Sequence, residues 1–341
     1  MLAEKKQKSA LCTLSEILKC SAGELFFTSC GSESINTAVR GFLSANPRAG
    51  KHIISTGTEH KATLETLRIL EESGYEVTYL RVGKDGVPDL FELEAAVRSD
   101  TALITLTHVN NETGAILPVT RISDILKRKK SAARFHLDCV QSLGKLPVTL
   151  SRMGVDMASF SGHKIHAVKG IGLLYVKKGC RINPLIYGGG QQGGIRSGTE
   201  STFLSGAMAL ALSLAEKDRE NALSRVTILK KELIDGLSDL HVTVLSPENA
   251  LPYIVNLSFP SFEAETMLHA LEEQDIFVST VSACSSKQKK ISYVLLAMGI
   301  SRDLAKNAVR ISFSRFSTEE EVRLMCQAVH KIYNKYTLKR G

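Results

Sequence analysis

Short apolar runs that end on small or polar residues recur down the first half of this chain, each followed by a helical stretch. Leu25-Phe26-Phe27-Thr28 leads into a helix with apolar residues at Ile35, Val39 and Phe42. His52-Ile53-Ile54-Ser55, residues 102–109 and Phe135-His136-Leu137-Asp138 repeat the pattern, and another apolar stretch runs up to Ser161. Such alternation, continued to about residue 176, predicts a mostly parallel sheet, because parallel neighbours need crossover connections. Open sheets of this kind bind ligands outside the carboxyl ends of their strands. A long helical passage over residues 200–240 follows, and then shorter strands and helices that form a second, smaller unit. With 341 residues, 43% of them hydrophobic, the chain can bury a large core and form two domains.

The residues just after the apolar runs are the chemical candidates. Lys164 stands in Ser159-Phe160-Ser161-Gly162-His163-Lys164, before Lys169-Gly170-Ile171-Gly172. A lysine that forms a Schiff base with pyridoxal 5'-phosphate needs a partly desolvated amine among small, hydrogen-bonding neighbours. Taken alone, it fits a solvated strand end as well. Asp138 suits the carboxylate that keeps the cofactor's pyridine nitrogen protonated, and equally a helix N-cap. Gln141, one turn on, is spaced to donate to the ring hydroxyl oxygen. Gly31 and Ser32 open a helix whose backbone donors suit a phosphate, although Ser32 and Glu33 also read as a plain cap. His60 is a candidate to stack on the ring and exchange protons, or else a capping or packing residue. A turn alone accounts for Asn110 and Asn111. Arg310 lies in an alternating strand, where a cross-strand salt bridge is the simplest reading, and Arg315 reads as structural.

Taken in order, several segments resemble one family. They are Thr28-Ser29-Cys30-Gly31-Ser32-Glu33-Ser34, Glu59-His60-Lys61-Ala62, His108-Val109-Asn110-Asn111-Glu112-Thr113-Gly114, His136-Leu137-Asp138-Cys139-Val140-Gln141-Ser142, the Lys164 segment, and the glycine-rich stretch ending in Arg196-Ser197-Gly198-Thr199. Together they resemble the cysteine desulfurases, which belong to the class V branch of the fold-type I pyridoxal phosphate enzymes. The likeness runs from about Leu11 to about Ile332. The lysine motif is shared across class V, and the Arg196 to Thr199 motif is narrower. Val281-Ser282-Ala283-Cys284-Ser285-Ser286 lies between a strand-like Ile276-Phe277-Val278 and a helical stretch at 291–298. Its context resembles the branch related to nitrogen-fixation and iron–sulfur cluster enzymes.

The resemblance implies an α/β chain with the aspartate-aminotransferase fold. A mostly parallel seven-stranded sheet would form a large cofactor-binding domain at 1–220. A smaller α+β domain at 221–341 would carry the cysteine loop. It implies conversion of L-cysteine to L-alanine with a persulfide left on Cys284. The sulfur would pass to an acceptor protein, for iron–sulfur clusters or for thiolated tRNA or cofactors. Lys164 would hold the cofactor covalently and shuttle protons, Asp138 would hold the pyridinium, and His60 would stack on the ring. Ser32, Ser161 and His163 would hold the phosphate, with Gly31 helping through its backbone. Thr199 would reach a phosphate across a homodimer interface, and Asn111 and Arg310 would bind the substrate carboxylate. The rivals are a lyase acting on selenocysteine or cysteine sulfinate, and a cofactor-binding scaffold that docks sulfur-transfer partners without turnover.

Seven cysteines with no Cys-x-x-Cys suggest neither a disulfide framework nor a zinc site. Six of them read as small buried or half-buried side chains. Cys284 is the exception, since sulfur transfer suits a thiolate on an exposed, mobile loop, and Cys30 is its rival. The net charge of +8 is spread out. Lys127-Arg128-Lys129-Lys130 and the lysines of 287–290 read as solvated faces, or as docking sites for an acidic sulfur acceptor or a tRNA-modifying partner. Nothing resembles a nucleic-acid-binding module, no apolar run is long enough to span a membrane, and no secretory pattern opens the chain, so cytoplasm is expected. The family usually begins with a segment reading roughly Tyr-Leu-Asp-Asn-Ala-Ala-Thr-Thr. This chain is expected to start inside the following helix, which puts turnover in question more than fold.

Overall fold

The structure is a computed structural model that describes residues 2–280 and 291–337. Two compact units divide the chain. The first comprises Met1–Arg81, Pro88–Val109 and Leu117–Arg219, and the second Val82–Val87, Asn110–Ile116 and Glu220–Gly341.

The first unit is built on β1 (Leu25–Thr28), β2 (His52–Thr56), β3 (Glu76–Leu80), β4 (Thr101–Thr107), β5 (Arg134–Asp138), β6 (Met157–Ser161) and β7 (Gly172–Val176). They form one seven-stranded sheet in the order β1-β7-β6-β5-β4-β2-β3. Neighbours from β3 to β6 are parallel, while β7 runs antiparallel to both β6 and β1. The reason for the reversal is local. Residues 162–171 hold only a 3-10 turn (Gly162–Ile165), too little chain for a crossover helix.

Alternate strand residues feed two cores. Ile54, Ile104, Leu137 and Phe160 pack on one face with Leu14 of α1 (Leu2–Leu18), and Ile53, Leu103, Met157 and Leu174 pack on the other with Ile35 and Phe42 of α2 (Gly31–Ala45) and Leu67 of α3 (Lys61–Glu72). On the α1 face lie also Leu93 of α4 (Leu90–Ala96), Ile122 and Ile125 of α5 (Val119–Arg128), Leu150 of α6 (Leu150–Met153) and Leu212 of α7 (Thr202–Asp235). Cys12 is exposed, against the expectation that it packs inside. The helical period explains this, since Ala10, Leu14 and Leu18 form the buried stripe of α1 and Cys12 falls off it.

A polar ladder crosses the sheet inside this core. Ser55 Oγ donates to the Thr105 carbonyl at 2.9 Å, Thr105 Oγ1 meets His136 Nδ1 at 2.8 Å, and His136 Nε2 meets Ser159 Oγ at 2.9 Å. Burial pulls the His136 pKa down to about 3, so the imidazole is a neutral cross-link between strands. At the β1 edge, the side-chain amide of Gln192 pairs with both backbone groups of Phe27. Oε1 accepts from Phe27 N and Nε2 donates to Phe27 O, each at 2.7 Å.

The second unit holds β8 (Thr243–Val244), β9 (Ile254–Ser258) and β10 (Ala308–Ser312) in an antiparallel sheet ordered β10-β9-β8. Its core joins Val255 and Leu257 to Met267 of α8 (Ala264–Glu272), Leu229 and Leu233 of α7, and Val329 of α11 (Glu319–Thr337). Thr318 and Glu321 close a reciprocal cap at the start of α11, with Thr318 N donating to Glu321 Oε2 at 2.8 Å and Glu321 N to Thr318 Oγ1 at 3.2 Å. The helix expected at 291–298 is the shorter α9 (Tyr293–Ala297), capped by Ser292 Oγ and followed by α10 (Arg302–Lys306). Residues 276–278 do not form the expected strand. Ile276 and Val278 turn into the core as alternation demands, but the only ladder pairing here among the described residues is the bridge between Ser279 and Arg310. No helix among the described residues is long and apolar enough to cross a membrane.

Candidate active site

The carboxyl ends of β1, β5 and β6 converge on Gly31. A Cβ at this position would lie 2.8 Å from Val140 Cγ2 and 3.4 Å from Ser161 Cβ, so only glycine lets the α2 terminus close against both neighbours. Cys30 occupies the cap position of α2 without a side-chain capping bond, leaving the first backbone donors of a 15-residue helix beside the strand ends. Ser161 is buried, and its Oγ meets His163 Nδ1 at 2.9 Å. Ser32 lies exposed on the first turn of the helix. The residue that anchors this turn is Ser34. Its hydroxyl meets Thr28 Oγ1 at 2.7 Å and donates to the Leu173 carbonyl at 3.1 Å. Only the strand-end threonine hinted at this in the sequence.

Asp138 is 4% exposed, flanked in register by Thr107 and Ser159, and its Oδ1 accepts from Val140 N at 2.9 Å. The carboxyl therefore closes its own turn, as a cap does, while remaining at the sheet edge. Burial pushes its pKa up to about 6. Lys164 is half-buried in the single turn after β6, which His166 ends with a left-handed φ of 64°. Its charge is felt at three neighbours. His60 is held below its ordinary pKa by burial, then by Lys164 and Lys61, and His163 is lowered by burial, Lys164, Lys169 and Lys145. Lys145 is pulled down to about 8 by burial and Lys164.

His60 caps α3, its Nδ1 accepting from Ala62 N at 3.1 Å. A neutral ring used this way carries its proton on Nε2. Capping and a role in the site are thus compatible, because they use opposite ring nitrogens. Lys145 Nζ donates to Gln141 Oε1 at 3.3 Å, which orients the amide and reserves Nε2 for donation.

The glycine-rich stretch is anchored to the same region. Arg196 Nε pairs with Glu33 Oε1 at 3.0 Å, and Ser29 N donates to Glu33 Oε2 at 2.9 Å. Burial pushes the Glu33 carboxyl up, but the bonds from Ser29 and Arg196 outweigh it and hold the group below its ordinary range. Thr199 is exposed.

In the second unit, Asn110 makes the turn that its sequence suggested, Oδ1 accepting from Glu112 N at 2.9 Å and Thr113 N at 3.0 Å. Among the described residues Arg310 makes no cross-strand salt bridge. Its register partner on β9 is Asn256, and its guanidinium donates to the Asn111 carbonyl at 3.0 Å and Ser279 Oγ at 3.1 Å. Arg310 Nε and Asn111 Oδ1 are buried without a hydrogen-bond partner among the described residues. An orphaned guanidinium donor suits a carboxylate ligand. Cys284 lies outside the described residues.

The first unit thus presents a glycine-floored anion cradle, a buried carboxyl, a half-buried lysine and a neutral imidazole at one sheet edge, which fits a phosphorylated pyridine aldehyde. The sequence profile of the class-V aminotransferases matches residues 4–325. Cysteine desulfurase IscS of Klebsiella pneumoniae subsp. pneumoniae is 41% identical over 322 residues, covering 93% of this chain and 79% of that protein. Among solved structures, a NifS-like protein superposes with a TM-score of 0.93 at 37% identity, covering 97% of this chain and 88% of that one. SspA in complex with cysteine superposes with a TM-score of 0.79 at 32% identity, covering 93% and 88%. With its motifs carried on the same fold, the chain belongs to the class-V aminotransferase family, among the IscS- and NifS-like cysteine desulfurases.

Proposed function

We propose that this desulfurase uses pyridoxal 5'-phosphate held by Lys164 to turn L-cysteine into L-alanine, leaving the sulfur as a persulfide on Cys284. The meeting of Gly31, Val140 and Ser161 at the ends of three strands, with Asp138 and Lys164 at the same edge, carries this assignment. When bound, the cofactor supplies the electron sink for the substrate. The chain supplies the rest. Asp138 holds the ring nitrogen's proton, and Gln141 donates to the ring hydroxyl oxygen. The α2 terminus at Gly31 and Ser32, with Ser161 and His163, holds the phosphate. His60 Nε2 and the Lys164 amine carry protons to and from substrate. Asn111 and the unpaired Nε of Arg310 hold the substrate carboxylate. In the net exchange the carbon–sulfur bond of cysteine breaks and a sulfur–sulfur bond to Cys284 forms. The thiol proton goes to the substrate carbon, so no external oxidant is needed. We assign the cofactor to residues 1–220 and the sulfur-carrying loop to 221–341, with a sulfur-acceptor protein as the next partner and the cytoplasm as the setting.

Alanine release from cysteine by the cofactor-loaded protein is the test. Expected is one alanine for each persulfide formed in a first turnover. Cofactor binding without alanine would leave only a scaffold, and faster turnover of selenocysteine or cysteine sulfinate would favour the rival lyase. The basic run at 127–130 supports a solvated face, since Arg128 forks onto Glu94 at 3.0 and 2.7 Å and Lys127 pairs with Asp124 at 3.2 Å.

A homodimer completes the proposal. Phe203, Leu210 and Leu214 expose 72%, 61% and 47% of their surface along α7, an apolar stripe that suits a two-fold partner. Thr199 would then serve the partner's phosphate. Mixing Lys164→Ala with Thr199→Ala chains is expected to restore about a quarter of wild-type activity, because half the dimers are mixed and each has one intact site. Activity no greater than the sum of the two parents would mean a self-contained site.

A further inference from the structure

Glu59 has no role in the chemistry above, yet it is 2% exposed at the same sheet edge. Its Oε1 accepts from Thr56 Oγ1 at 2.7 Å, and its Oε2 accepts from Thr107 Oγ1 at 2.6 Å. Thr56 Oγ1 also meets Thr58 Oγ1 at 2.9 Å, so threonines from β2, the loop after it and β4 build one polar nest around the carboxyl. Thr107 is the register partner of Asp138 on the adjacent strand. A buried carboxyl is costly to keep, and a second one with only β4 between their strands is costlier. A merely structural tie between β2 and β4 would need only hydroxyl or amide groups.

We infer that Glu59 is a positioning residue for the cofactor ring, a second carboxyl behind Asp138 that, with Thr107 between them, adds its negative charge to the hold on the ring-nitrogen proton. This rests on the assignment of Asp138 to that nitrogen. Burial raises the Glu59 pKa to about 7, against the pull of bonds from Thr107 and Thr56, and the Asp138 charge raises it further. A carboxyl raised in this way is neutral below about pH 7 and anionic above it, so the second charge arrives on the alkaline side. The other titratable groups on the surrounding elements include His136 on β5, lowered to about 3 by burial, His108 after β4, lowered to about 4 by burial, and His60 at the start of α3, lowered by burial, Lys164 and Lys61. His136 and His108 are neutral across that range, and the His60 ring is neutral while its Nδ1 accepts from Ala62 N. Lys61 and Lys164 act at His60. The changing charge behind Asp138 is therefore that of Glu59.

The experiment measures the affinity of apo-protein for pyridoxal 5'-phosphate and for its analogue with CH in place of the ring nitrogen. Glu59→Gln is expected to match wild type within about twofold for the natural cofactor near pH 6 and to bind it about fivefold or more weakly near pH 8.5. The analogue, with no ring proton to hold, should bind both proteins alike at both pH values. Equal weakening for both ligands would make Glu59 a structural tie, and unchanged or tighter cofactor binding near pH 8.5 would also overturn the proposal. Thr107→Val cuts the link while keeping the β-branched shape, and is expected to shift affinity in the same direction and with the same ligand selectivity. It decides the matter if Glu59→Gln fails to fold. Asp138→Asn separates the two assignments. If it affects both ligands equally, the role of Asp138 falls and that of Glu59 with it. If it distinguishes them and the Glu59 and Thr107 variants do not, the Glu59 proposal alone falls.

Discussion

Lys164→Ala is expected to purify colourless, with no covalently held cofactor and turnover lower by about a thousandfold or more. The variant removes the proposed attachment point and proton carrier, and a positioned acid–base group alone is worth about a hundred- to ten-thousandfold. Lys164 is half-buried on the turn after β6, with glycine and hydroxyl neighbours. Lys145 is the instructive competitor. Its pKa is lowered to about 8 by burial and Lys164, and its amine donates to Gln141 beside the sheet edge. Borohydride reduction of wild-type protein followed by peptide mapping should therefore label Lys164. Label on Lys145 would overturn the assignment of both residues.

Cys284→Ser is expected to bind the cofactor and cysteine with near wild-type affinity while sulfur release falls by about a thousandfold. A hydroxyl is a far weaker nucleophile toward sulfur than a thiolate, and none of the groups assigned to cofactor binding is altered. Spectroscopic titration with cysteine measures binding, and persulfide labelling measures transfer. Cys30 offers the contrast. It holds an extended backbone at the α2 cap, within 3.9 Å of Ser29 Oγ, where a sulfur taken up would stay beside the phosphate cradle. Cys30→Ser should keep most of the transfer. If it abolished transfer while Cys284→Ser retained it, the roles of the two thiols would be exchanged.

Much of the sheet is legible in the chain because strand, helix and strand each carry their own period, and because a ligand edge needs its polar residues where the apolar runs stop. The placement of Asp138 at the end of β5 and of Lys164 just after β6 is readable for that reason. The antiparallel course of β7 is not visible in Gly172-Leu173-Leu174-Tyr175-Val176, which would suit either direction. The short connection from β6 decides it. Residues 276–278 mislead because alternating burial is shared by strands and by extended chain that lacks a ladder. The groups missed are those whose meaning is a distant partner. Ser34 looks like a helix serine until it meets Leu173, and Glu59 looks like a spacer beside His60 until Thr107 closes on it.

The amide of Gln192 has a consequence for how the molecule behaves among its own copies. By taking both hydrogen-bonding groups of Phe27, one side chain stands where the next strand of a growing sheet would begin. An edge left open there would invite another chain to add on, and repeated addition has no natural stop. Because Gln192 belongs to the segment that ends in Thr199, the plug is attached to the part of the chain assigned to the partner subunit. If that segment serves a partner as proposed, seating it correctly and refusing indefinite strand-by-strand growth would be one event, and assembly would be steered toward a closed pair and away from an open fibre.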